Sequence, residues 1–214
     1  MTISWTGPGA TAILLVALTA CGGQQKAATE PPADDDRQQI TVQGVAALVE
    51  EHLGSKNVRQ YGTYGQEPHS VDVMVQLRGA DRRDMFVVGV SSPEGAEREF
   101  GGAGGASCEQ MERRSGGRFG RVWCETLEGG GSASVQLVPY GFSDDNRNGR
   151  ALMGLATEPE GRMANAMYES YTPTVTVDPQ DLLELLADER LAWMTDPAVN
   201  EAGRDIPVRK LGGG

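Results

Sequence analysis

Apolar and polar positions alternate along this chain with two periods, broken by a purely apolar start. Residues 10–20 read Ala-Thr-Ala-Ile-Leu-Leu-Val-Ala-Leu-Thr-Ala, an apolar run too short for a bilayer-spanning helix, which needs about 20 residues. Residues 22–39 have almost no apolar mass and predict a disordered tether, stiffened at Pro31-Pro32. In residues 40–53, Val42, Val45, Leu48, Val49 and Leu53 fall on one helical stripe, with Glu50 and Glu51 outside it and Gly54 placed to end the helix.

A period of two then takes over. Val71, Val73, Val75 and Leu77 alternate with Asp72, Met74, Gln76 and Arg78, a strand with one mixed face. Residues 79–82 form a turn, and residues 85–90 return as a more apolar strand, which predicts a hairpin. Residues 93–107 are glycine-rich and read as a mobile loop. Gly101, Gly102, Gly104 and Gly105 have no Gly-Lys-Ser/Thr after them and no expected helix, so a phosphate cradle is disfavoured. Further strands are expected at 119–127, 134–140, 151–157 and 174–177; residues 162–171 fit a strand or a short helix. The short turns between them favour an antiparallel meander, because parallel strands need long crossovers.

The C-terminal part is helical by local signal. Asp178-Pro179-Gln180-Asp181 supplies an N-cap, a proline at the first position and an acid in the first turn, ahead of Leu182, Leu183 and Leu186. Asp196-Pro197 repeats the start for a second helix that Gly203 would stop. The expected fold is therefore α+β: an antiparallel sheet meander, an N-terminal helix and a C-terminal helical pair. One domain would occupy 40–203, with 204–214 fraying. Few aromatics and many glycines predict a core of Val, Leu, Met and Ala, the methionines acting as core or loop filler.

Composition narrows the function. The net charge of −11 lies entirely after residue 20 and gives no basic footprint for nucleic acid and no attraction to anionic lipid. The residues Leu18-Thr19-Ala20-Cys21, with Gly22-Gly23 following, resemble the lipobox of bacterial lipoproteins. That resemblance implies that residues 1–20 are a signal peptide and that Cys21 receives a diacylglycerol and becomes the first mature residue. The chain would then be membrane-anchored on the extracytoplasmic face, since two or three acyl chains hold a protein stably where one does not. The stretch departs from the usual pattern in having no Lys or Arg in residues 1–9, which points to an upstream start or to slower insertion. Loosely, residues 178–197 resemble C-terminal helices of actinobacterial lipoproteins, a likeness that brings no function with it.

Cys108 and Cys124 remain as a pair. An oxidising compartment favours a disulfide over free thiols or a metal site, and closing about 15 residues contributes about 3 kcal/mol in loop-closure entropy. Asp144, Asn146 and Asn148, before Gly149, fit the opening half of a calcium loop. The position for its closing Glu is Leu155, however, and Asn148-Gly149 between strands is a strong hairpin turn, which is the favoured reading. The run Asp34-Asp35-Asp36 reads as solvated charge. His52 and His69 are the only neutral-pH bases; no Gly-x-Ser-x-Gly or His-Glu-x-x-His occurs, and no cofactor is expected. The leading expectation is a lipid-anchored binding or accessory module, its partner an envelope protein or cell-wall component. The second is an envelope hydrolase working through carboxylates. A two-lobed solute receptor would need a longer chain.

Overall fold

A computed structural model describes residues 36–63, 66–100, 107–115, 121–140 and 149–211. Its centre is a largely antiparallel sheet with helices packed on one face, so the chain is α+β.

The first elements follow local rules. Strand β1 (Gln38–Gln39) leads into helix α1 (Val42–Leu53), whose N-cap Thr41 accepts a hydrogen bond from the Gly44 N–H. Gly54, at φ 79°, ends α1 in a backbone region that only glycine occupies cheaply. Strands β2 (Val58–Thr63), β3 (Gln66–Glu67), β4 (Ser70–Leu77) and β5 (Met85–Ser91) follow, with β4 and β5 forming the expected hairpin around Gly79. Helices α2 (Pro93–Phe100) and α3 (Cys108–Ser115) carry the chain to β6 (Val122–Thr126). Then β7 (Ser132–Tyr140), β8 (Gly149–Thr157) and β9 (Met163–Ser170) run up and down, so residues 162–171 settle as a strand. Helix α4 (Pro179–Ala187), β10 (Met194–Thr195), α5 (Pro197–Gly203) and β11 (Val208–Lys210) close the chain. Asp178 and Asp196 cap α4 and α5 as expected.

The strand order is β11-β2-β4-β5-β9-β8-β7-β6, with β3 paired to β4. The meander therefore runs through β6 to β9, whose last strand pairs back onto β5 along seven residue pairs.

Several local expectations are corrected. The tether does not extend to residue 39, because Gln38 and Gln39 pair with Thr195 and Met194. Residues 93–107 are not all loop. Ser92 Oγ accepts from the Gly95 N–H, Pro93 takes the first position and Glu94 sits in the first turn, a start signal that the local glycine density obscured. A helix, α3, does open shortly after the glycine run, although no lysine accompanies it. Residues 174–177 are not a strand: the Thr174 carbonyl accepts from the hydroxyls of Ser170 and Thr172, and Tyr168 bonds Thr176, so side chains take the place of a ladder. Residues 204–211 are not a frayed tail. Val208, Arg209 and Lys210 pair in parallel with Tyr61, Gly62 and Thr63. A Cβ on Gly62 would lie 2.6 Å from Leu211 Cδ1, so glycine admits that side chain.

One face of the sheet is the core. Val71, Val73 and Val75 of β4, Phe86, Val88 and Val90 of β5, Ala164, Ala166 and Tyr168 of β9, and Leu152 of β8 are all buried on it. Helix α4 crosses β6 to β9 there with Leu182, Leu183, Leu185 and Leu186, while α1 covers β2 and β4 and packs on α5. The Arg162 guanidinium, almost fully buried, donates to the carbonyls of Leu186, Asp188 and Leu191 and pairs with Glu158. It satisfies the acceptors that the end of α4 leaves over.

Candidate functional site

The opposite face of the sheet has α3 tied to its β6 edge through Cys108 and Cys124, no described helix crosses it as α4 crosses the other, and its residue register is unusual. Residue partners across neighbouring strands run Met74–Val87–Met167–Met153–Gln136–Val122, from β4 through β5, β9, β8 and β7 to β6. Gly62 pairs with Met74, and Leu211 sits over that glycine, so an apolar side chain extends the row on the β2 side. Met153 is 52% exposed and the others of the row from Met74 to Gln136 are half-buried. Met85 lies two pairs along from Val87, opposite Glu169. A solvated antiparallel face normally presents polar side chains at such positions. Here methionine, valine and leucine occupy them.

The expected methionine core is thereby corrected: among the described residues Met74, Met85, Met153 and Met167 line the outer face, and Met163, though buried, shares their register opposite Ser91. The thioether's flexibility and polarizability suit it to a surface that shapes itself to a partner.

Beside this row runs a second, Asp72–Gly89–Asn165–Leu155–Ser134–Cys124. A Cβ on Gly89 would lie 2.0 Å from Asp72 Oδ1 and 2.8 Å from Asn165 Oδ1, so both side chains lean over the glycine. Asp72 also accepts from Ser70 Oγ at 3.3 Å. In β4, β5, β7, β8 and β9 this face holds the carboxylates Asp72 and Glu169 and no Lys or Arg, since Arg150 belongs to the other face. At its β6 end the row reaches Cys124, which forms a disulfide with Cys108 of α3. The compartment-and-parity argument thus gave the observed pairing.

The remaining candidates are scattered. Cys21, Asp144, Asn146 and Asn148 lie outside the described residues, as do Asp34 and Asp35. His52 Nε2 lies 2.9 Å from Asp188 Oδ2, tying the end of α1 to the cap of α4; Arg190 binds the same carboxylate and Glu51. Burial opposes ionisation of Asp188, but hydrogen bonds from His52 and Arg190 outweigh it and hold the carboxyl far below the usual range. His69 Nδ1 lies 3.3 Å from Ser92 Oγ and 3.7 Å from Glu94. Both contacts fall on one ring nitrogen, whereas a catalytic relay places nucleophile and acid on opposite ones. That hydroxyl is also engaged as the α2 cap. Both histidines hold elements together.

Asp84 accepts from the Tyr168 hydroxyl at 2.9 Å and the Tyr171 N–H at 3.0 Å, binding the β4–β5 turn to the end of β9. The Tyr61 hydroxyl is buried near Glu50, and burial, then the negative charge of Glu50, raises its pKa. Glu184 lies on the exposed side of α4. Among the described residues no three His, Cys, Asp or Glu side chains gather to hold a metal ion, and no helix is long and apolar enough to cross a membrane.

Sequence reading missed the methionine row because it requires strand order: Met74, Met153 and Met167 come together only through the pairing of β5 with β9 and β9 with β8. The mixed face of β4 was its one local sign. No family model matches this chain, and neither a curated protein nor a solved structure does.

Proposed function

We propose that this protein is a bacterial lipoprotein, anchored to the membrane through Cys21, whose domain serves as a binding or accessory module on the extracytoplasmic face. The observation that carries the binding reading is the uncharged row Met74–Val87–Met167–Met153 on an open sheet face. Apolar surface kept at such positions is a mark of interaction sites. A protein of the envelope suits this row better than a cell-wall glycan, because the row offers no aromatic ring for a sugar to stack on. The anchor reading draws on Leu18-Thr19-Ala20-Cys21 and the polar stretch after it. The disulfide agrees with an oxidising compartment.

Proximity crosslinking in intact cells tests it, comparing wild type with Cys21→Ser. The expected result is membrane fractionation of the wild type alone and one envelope protein captured with the anchored form. Equal fractionation of both forms would remove the anchor, and equal capture profiles would remove the accessory role.

A further inference from the structure

We infer that the open sheet face receives a cationic amphipathic segment of a partner protein, laid across β4, β5, β9 and β8 with its apolar side on Met74, Val87, Met167 and Met153. This rests on the binding reading above and specifies the partner.

Shape gives the first argument. Leu211, Met74, Val87, Met167 and Met153 lie along one line across five strands. At a strand spacing of about 4.8 Å that line is about 19 Å long. A helix of about 13 residues has the same length. The same sheet already accepts such an object: α4, with Leu182, Leu183, Leu185 and Leu186, crosses β6 to β9 on the covered face. A stripe one helix wide is small beside the roughly 800 Å² per partner of a stable interface, which disfavours a second copy of the chain.

Charge gives the second. On β4, β5, β9 and β8, where the segment would lie, this face holds no Lys or Arg; Arg209 of β11 pairs with Gly62 beyond the Met74 end of the row, and the whole chain carries −11. Two such chains repel each other, as would an acidic partner; a partner with Lys or Arg along the edges of its apolar stripe is drawn in and oriented.

Access gives the third. The first described residues leave from the helical side. Ile40 N–H donates to the Trp193 carbonyl at 3.0 Å, and Asn200 Oδ1 accepts from both the N–H and the hydroxyl of Thr41.

The test uses the full chain and a fluorescent Leu/Lys amphipathic peptide of about 14 residues, with a Leu/Glu version and a scrambled Leu/Lys version as controls. Anisotropy is expected to show micromolar binding of the amphipathic Leu/Lys peptide that weakens with salt. Met153→Asp and Met167→Asp should weaken it by about tenfold or more, equivalent to about 1.4 kcal/mol. Met194→Asp, at an exposed methionine in β10 away from this row, should leave it unchanged. Unchanged affinity in Met153→Asp, or equal binding of the Leu/Glu peptide, overturns the inference. A photocrosslinker at position 153 in cells separates the two levels. Capture of a protein through an acidic or uncharged segment overturns this partner class and leaves the binding reading standing; no capture from position 153 removes both.

Discussion

The two faces of one sheet are built from the same strands and follow opposite rules. On the covered face, valine, leucine and alanine meet α1 and α4, and Leu152, Leu185 and Leu186 are fully buried. On the open face the same strands leave Met74, Val87, Asn165, Met167 and Gln136 half-buried and Met153 exposed, while Ser134, Met163 and Glu169 of that face are buried. β-Branched and compact aliphatic side chains have few rotamers and specify one packing, whereas methionine adopts many and specifies none. One face is made to be unique and the other to adapt. On the proposed reading, stability and binding sit on separate sides of a layer one backbone thick.

The comparison can be broken most directly at Leu186. Leu186→Ala removes a fully buried side chain of the covered face, and denaturant unfolding should show a loss of about 3 kcal/mol. Met153→Ala on the open face should cost less than about 0.5 kcal/mol. Similar losses at the two positions would mean that the open face is packed as tightly as the core.

Two glycines sharpen the contrast. A Cβ at Gly154 would lie 2.4 Å from Leu186 Cδ1, which has nowhere to go, so Gly154→Ala should cost about 2 kcal/mol. At Gly89 the obstacles are the tips of Asp72 and Asn165. These can swing toward solvent, so Gly89→Ala should cost under about 1 kcal/mol. Thermal or denaturant melts of the two variants check the ordering; a costlier Gly89→Ala would reverse the proposed rigidity of the faces.

Asp188 tests how the covered face is held at its rim. Its carboxyl titrates lower when folded than when unfolded, so its contribution is complete above the unfolded value of about 3.9 and is lost as pH falls through the folded one. Asp188→Asn should lower stability by about 1.5 kcal/mol near neutral pH, and the gap to wild type should narrow below about pH 4. A gap that does not change with pH would assign its role to geometry alone. The smallest effect is expected on the open face, where Met167→Leu should leave the melting temperature within about 2 °C of wild type.

The parts of the fold that were legible in sequence are those set by neighbours a few residues away. Gly54, Asp178 and Asp196 each bond or bend within one turn of themselves, and their elements start or stop where expected. What escaped was decided at a distance. Three residues, Val208 to Lys210, have no strand signal of their own and become one because β2 offers a free edge and Gly62 an opening for Leu211. Arg162 reads as a surface cation until α4 arrives with three carbonyls to satisfy. Val175 and Val177 alternate like a strand, yet the hydroxyls of Ser170 and Thr172 claim the Thr174 carbonyl. The open face was half legible: alternation in β4 showed a mixed face, but its composition depends on which strands lie beside it.

The clasp between the two ends of the domain has a kinetic consequence. Thr41 bonds Asn200 across 159 positions, β1 pairs with β10, and β2 waits for β11. A Cβ on Gly203 would lie 2.0 Å from the Gln43 carbonyl, so α1 and α5 touch backbone to backbone. A chain that emerges amino end first therefore makes α1 early and cannot seat it until α5, about 150 residues later, has appeared. Closing so long a loop is slow, and the apolar stripe of α1 stays uncovered meanwhile. This domain completes its fold only once α5 and β11 have emerged, and a chain halted before Pro197 would hold α1 without its partner.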